Sequence, residues 1–273
     1  ALPATATCMF FHHRDLAYTV RVDKPNPVFA RMLQQAIGGP EGEMRVMTQY
    51  MFQGFNYRGS QKYRDLLLST ATEEIGHIEV LATAVAMNLE GAPAEIVDEV
   101  VTNPVVAARM GALEPRHFLS SGLGAMPSDA NGVPFSAACI DTAGNLVADM
   151  RANVAAEAVG RTLAARLLEL TDDPGMKDML NYLIARDTAH QQQWLAVLEE
   201  LGPEIATNAP GDYENVAEHQ PHAYAVFNHL ADRQLDETAR FASGPSLDGK
   251  GELSAAQTPP VVGNVPAPAK APP

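Results

Sequence analysis

The chain has 273 residues, of which 46% are hydrophobic and 19% charged, so it is long enough for one large domain, or one domain with an extension, around a substantial core. A formal net charge of −14 argues against nucleic acid or an anionic membrane surface as principal partner, since both need a positive face. With only Cys8 and Cys139, and no apolar run of about 18 residues, a disulfide framework, a thiolate metal cluster and a membrane-spanning helix are all excluded.

The first residues, ALPATATCMFFHHRD, lack the basic and long apolar regions of a signal peptide, and Met9 can be read as the native start. A cytoplasmic location is expected. Residues 1–22 read as an N-terminal segment in which YTVRV (18–22) alternates like one short edge strand. Pro27 opens a short helix through Ala36, and Gly38-Gly39-Pro40 breaks it. A second helical pattern runs from Glu41 to about Asn56, and a long one from Tyr63 to Leu89.

Residues 102–140 are loop-rich, with the turn-forming PSDANGVP at 127–134; GLGAMPSDANGVP lacks the Gly-Lys-Ser/Thr of a phosphate loop and reads as a loop near a substrate entrance. Another long helix spans about Asn145 to Leu170. Asp173-Pro174 then supplies an N-cap and a first-turn proline for a fourth, which stops at Gly202-Pro203. Four long helices in two hairpins, separated by a long crossover, describe an all-α four-helix bundle over residues 23–202. Residues 203–273 read as an extended C-terminal arm with one helical candidate at 222–240. From about 258 the tail is proline-rich, and it is either disordered or laid across a neighbouring subunit.

The octet TEEIGHIE (72–79) sets Glu74 and His77 three apart, on one face of a helix with Leu67, Thr70, Leu81 and Ala84. A carboxylate in an apolar stripe needs a partner, and a metal ion, an ion pair or a satisfied histidine would each serve. The rest of the chain narrows the choice. Glu43 shares a stripe with Met47, Tyr50 and Gly54; Glu157 lies between Asn153 and Arg161; His190 lies on a stripe with Leu180, Leu183, Asp187 and Trp194.

Glu43 and His77 are 34 residues apart, and Glu157 and His190 are 33 apart. Each hairpin therefore carries one carboxylate on its first helix and a carboxylate-x-x-His on its second, the pattern of dinuclear carboxylate bundles. Five protein ligands are expected: Glu43, Glu74, His77, Glu157 and His190. Asp187, shorter than glutamate by a methylene, is expected just outside them. There it could accept and return protons, or it could pair with Arg186, Arg161 or Arg151. His12 and His13 could recruit a metal but read as surface residues near the start, while His117, His219, His222 and His229 lack an inward-facing carboxylate at helical spacing and read as non-ligands. Met44, Met47 and Met51 read as core packing.

Taken together, MFFH (9–12), GGPEGEM (38–44), QYMFQGFN (49–56), ATEEIGHIE (71–79), RANVAAEA (151–158) and LTDDPGMKDML (170–180) resemble the manganese (non-haem) catalases of the ferritin-like superfamily. The resemblance covers about residues 9–202. It implies a ferritin-like four-helix bundle, a homohexamer whose C-terminal arms wrap neighbours, and disproportionation of hydrogen peroxide to water and dioxygen at two manganese ions per chain. It further implies that Glu43 and His77 bind one ion, that Glu157 and His190 bind the other, and that Glu74 bridges them. Tyr50 matches a tyrosine beside the family's metal centre. Asp187 falls where some members carry a glutamate that handles protons, and Ala156 replaces an arginine that some members have before the third-helix glutamate.

The ligand types suit iron as well as manganese. A di-iron ferritin-like oxidase or peroxidase is therefore the alternative enzyme, and a metal-braced structural oligomer the alternative of another class.

Overall fold

Asn26 starts the helical part of the chain: its side-chain oxygen accepts from the backbone N–H groups of Val28 and Phe29, and Pro27 occupies the first turn, where a missing N–H costs nothing. The computed structural model describes residues 14–91, 116–202, 223–227 and 236–256. Helix α1 (Pro27–Gly38) leads into α2 (Glu43–Asn56) and α3 (Gln61–Asn88). A four-residue helix, α4 (Arg116–Leu119), lies in the crossover, followed by α5 (Leu146–Glu169) and α6 (Pro174–Leu201). The four long elements α2, α3, α5 and α6 form the expected mostly helical bundle. None of the helices among the described residues is long and apolar enough to cross a membrane.

One end of the bundle is an apolar cluster. Phe29, Leu33 and Ile37 of α1 pack with Val80, Leu81, Ala84 and Val85 of α3, Leu167 of α5, and Met176, Met179, Leu180 and Leu183 of α6. Burying such side chains stabilises the fold by about 1.5–3 kcal/mol each. The crossover is tied to α1 by a buried amide: Gln34 donates to the carbonyls of Met126 and Ser128 and accepts from the Met126 N–H. Asn145 caps α5 by accepting from Ala148 N, and Asp173 caps α6 by accepting from the N–H groups of Gly175 and Met176.

Residues 18–22 are not a strand. Among the described residues no strand pairs them, and just beyond the segment Asp23 N and Lys24 N both donate to the Asp173 side chain at Oδ2. The segment is a strap across the start of α6. Tyr18 stacks on Tyr182 with ring centroids 4.3 Å apart, and the strap passes so close to Gly175 that a Cβ there would sit 2.0 Å from the Arg21 carbonyl oxygen.

The C-terminal unit, from Leu201 onward, contains a three-stranded sheet in the order β1-β3-β2. Its strands are β1 (Ala225–Phe227), β2 (Ser243–Pro245) and β3 (Glu252–Ala256); β1 pairs parallel with β3, and β2 antiparallel. The expected helix over 222–240 is thus replaced, in its described parts, by the strand Ala225–Phe227, whose backbone partners are Ser254–Ala256, and by turns over 236–240. Residues 228–235 and the proline-rich tail lie outside the described residues, as do His12, His13, His219, His222 and His229.

Candidate metal centre

Helical periodicity carries the six chemical side chains inward. Leu67, Thr70, Glu74, His77, Leu81 and Ala84 all bury on one face of α3, and Leu180, Leu183, Asp187, His190 and Trp194 on one face of α6. Glu43 enters from the first turn of α2 and Glu157 from the middle of α5. Two buried groups result, Glu43–His77–Asp187 and Glu74–Glu157–His190, with the candidate ligand atoms of each within 4.8 Å of one another.

Glu74 joins the two groups. Its Oε2 lies 2.6 Å from His77 Nδ1, and its Oε1 lies 2.8 Å from His190 Nδ1. Glu43 Oε2 is 3.7 Å from the same nitrogen of His77, and Glu157 Oε1 is 3.8 Å from that of His190. The rings stack with centroids 5.7 Å apart. Yet both Glu74 oxygens and all four imidazole nitrogens are buried without an aligned hydrogen bond. Buried polar atoms are seldom left so, and lone pairs that converge without donors between them suit cations. The donor set fits two divalent ions that prefer carboxylate and imidazole.

Electrostatics supports that fit. Burial, with the Glu74 charge adding to it, pushes Glu43 up to about 7 and Glu157 up to about 8. Burial first, and then Glu43, Glu157 and Glu74, raises Asp187 well above the ordinary carboxylate range. Burial also opposes the Glu74 charge, but His190 and His77 outweigh it and bring that carboxyl down to about 2. Burial works against both imidazolium forms as well. The surrounding carboxylates overcome it, raising His77, and raising His190 to about 10. Without ions the centre holds protons where positive charge is wanted.

Tyr50 donates to Glu157 Oε1 at 2.5 Å, and Trp194 Nε1 donates to the same oxygen at 3.3 Å. Further along α2 and α5, Gln49 and Gln53 both donate to Asn153 Oδ1, and Asn153 returns a bond to Gln53 Oε1. This satisfied amide cluster fixes the register between the helices that carry Glu43 and Glu157.

Asp187 joins the Glu43–His77 group and is 5% exposed. The arginines that could have paired it are engaged elsewhere or exposed: Arg186 bridges to Glu73, Arg161 donates to Thr188 and Gln191, and Arg151 faces outward. A cavity of about 20 Å³, room for a water-sized molecule, reaches Glu43, Glu157 and Asp187 past Ala156 and Gly160. It shares Glu41 and Leu163 with a wider surface hollow bounded by Gln35 and Arg166. Residues 122–134, expected near the entrance, line neither space; they dock on α1 instead. His117 is held by the Gly124 carbonyl, away from both groups.

Sequence reading passed over Glu73. Its carboxylate lies on the far side of both imidazoles, 3.7 Å from His77 Nε2 and 3.2 Å from His190 Nε2. Its i,i+4 spacing to His77 was the available signal.

Comparison with known proteins agrees with this geometry. The family described as manganese containing catalase matches residues 9–273. A manganese catalase of Bacillus subtilis (strain 168) is 43% identical over 89% of this chain and 88% of its own, and one from Lactiplantibacillus plantarum is 36% identical over 94% and 95%. The solved manganese catalase KatB from Anabaena superposes with a TM-score of 0.66 at 27% identity, covering 83% of this chain and 94% of that one. With two buried carboxylate–histidine groups and a match along almost its whole length, this chain belongs to the manganese catalase family.

Proposed function

We propose that the centre disproportionates hydrogen peroxide to water and dioxygen with two manganese ions per chain, one held by Glu43 and His77, the other by Glu157 and His190, and both by Glu74. The observation that carries this reading is the division of Glu74, one oxygen toward each histidine. Manganese bound there supplies a couple that exchanges two electrons with peroxide, taking them from one molecule and giving them to the next.

The side chains handle what the electrons leave over. One peroxide must lose two protons to leave as dioxygen, and the other must gain two to leave as water. Asp187, on the cavity wall and raised well above the usual carboxylate range, is placed to hold one of these protons between the two half-reactions. Tyr50 and Trp194 both bind Glu157 Oε1, the oxygen 3.8 Å from His190 Nδ1, and so fix how that carboxylate is turned in the centre. The cavity, with room for a water-sized molecule, reaches Glu43, Glu157 and Asp187 from the side of Gly160. By the family resemblance the chain assembles as a cytoplasmic homohexamer whose residues 203–273 wrap neighbours; light scattering at the mass of six protomers checks this.

Reconstitution tests the metal. Apoprotein loaded with manganese should turn over peroxide with release of dioxygen, and the iron-loaded form should not. Turnover restricted to the iron form would replace this reading with a di-iron oxidase or peroxidase on the same ligands.

A further inference from the structure

Glu73 faces both histidines from the side opposite Glu74. Glu73 Oε2 lies 3.2 Å from His190 Nε2, and Oε1 lies 3.7 Å from His77 Nε2, so each oxygen addresses a different ring. Arg186 spans the same carboxylate, with Nε 2.6 Å from Oε1 and a terminal nitrogen 3.2 Å from Oε2. Glu73 sits on α3 and Arg186 on α6, and both are only partly buried. The inner faces of the same rings turn Nδ1 toward Glu74 at 2.6 and 2.8 Å.

A neutral imidazole carries one N–H and one lone pair, and whatever binds the N–H decides which nitrogen is free for a metal. We propose that Glu73 is a shared positioning residue: the one carboxylate that faces Nε2 of both His77 and His190 favours the proton on that nitrogen of each ring, and so leaves each Nδ1 lone pair to the dinuclear centre. This rests on the metal-centre reading above. A carboxylate behind a ligating histidine also makes it the stronger donor. One carboxylate serving both rings, and hence both ions, ties the two sites together: whatever alters Glu73 alters both. Arg186 holds the carboxylate by both of its oxygens.

Manganese affinity, measured by chelator competition on the full chain, separates this from a simple helix–helix ion pair. E73Q should weaken manganese binding at both sites together, by about 10–100-fold, the usual effect of losing such a partner. R186Q removes the ion pair but leaves the carboxylate beside the rings, and should weaken binding clearly less than E73Q does. Equal losses in the two variants would overturn the proposal and leave only an ion pair, as would E73Q binding within twofold of the parent. A second measurement needs no substitution. In the parent protein loaded with diamagnetic zinc and labelled with ¹⁵N-histidine, both rings should show a protonated Nε2 and a metal-bound Nδ1. Metal on Nε2 of either ring would overturn the proposal. If the parent chain binds no manganese at all, the metal-centre reading fails instead, and that result is distinct from either of the others.

Discussion

The Tyr50 hydroxyl and Glu157 Oε1 are 2.5 Å apart in the buried middle of the bundle, a tie between α2 and α5 across the candidate metal centre. Trp194 from α6 binds the same oxygen, and its ring packs on Tyr50 with centroids 5.0 Å apart. Three helices therefore agree on the orientation of one carboxylate.

Tyr50→Phe tests that arrangement. The change keeps the ring and removes a hydrogen bond to a charged acceptor, worth about 1.5–3 kcal/mol. Manganese affinity on the Glu157 side should fall by about 10–100-fold, while the fold persists. Chelator competition with circular dichroism reads both quantities.

Asp187→Asn keeps the shape and removes the proton-accepting oxygen. Metal content should stay at the parent level, and peroxide turnover should fall by about 10²–10⁴-fold, the usual contribution of general acid–base catalysis. Metal analysis alongside initial rates of dioxygen release checks this. Unchanged turnover would assign Asp187 no part in the chemistry.

Metal loading should release protons. Near neutral pH the ion-free centre keeps both imidazoles protonated, most of Glu157 (about 8) and a share of Glu43 (about 7). Cations displace these protons, so apparent affinity rises steeply with pH through this range. Calorimetry in buffers of different ionisation enthalpy counts the protons.

Stability of the metal-free chain has the opposite dependence. Glu43 and Glu157 are raised above their unfolded values, so their contribution is full below the ordinary glutamate range and is lost as pH rises through about 7 and 8. Glu74 is lowered to about 2, so its contribution holds above the ordinary range and is lost only as pH falls toward that value. Thermal melts of apoprotein should therefore weaken between mildly acidic and mildly alkaline pH, and manganese should abolish the trend.

Gly160→Val tests the access route. A Cβ at 160 lies 3.6 Å from both Asp187 Oδ2 and the Glu41 carbonyl oxygen, ordinary contact for alanine, but branching beyond it fills the cavity. The variant should keep its manganese and lose kcat/KM for peroxide by about tenfold or more, a cost of about 1.4 kcal/mol in the transition state. Steady-state kinetics with metal analysis gives the answer.

Much of this was legible because helices repeat. Offsets of three and four residues put Glu74 on one helix face with His77 and Asp187 on one face with His190; the structure then groups them across the hairpins, Asp187 with Glu43 and His77, and Glu74 with Glu157 and His190. Asp173-Pro174 announced α6 by local capping chemistry alone. What sequence missed depended on tertiary partners. YTVRV alternates like a strand, but Tyr18, Val20 and Val22 pack against the apolar cluster, and among the described residues no strand pairs it. Ala225–Phe227 is a strand because Ser254–Ala256 lie beside it, far along the chain. Glu73 reads as a surface acid until α6 supplies Arg186 and His190.

The most direct measurement is the yield of dioxygen per peroxide consumed by the manganese-loaded protein. One dioxygen for every two peroxides is the expected result, the stoichiometry of disproportionation at the Glu74-joined centre. Peroxide consumption without dioxygen would contradict it.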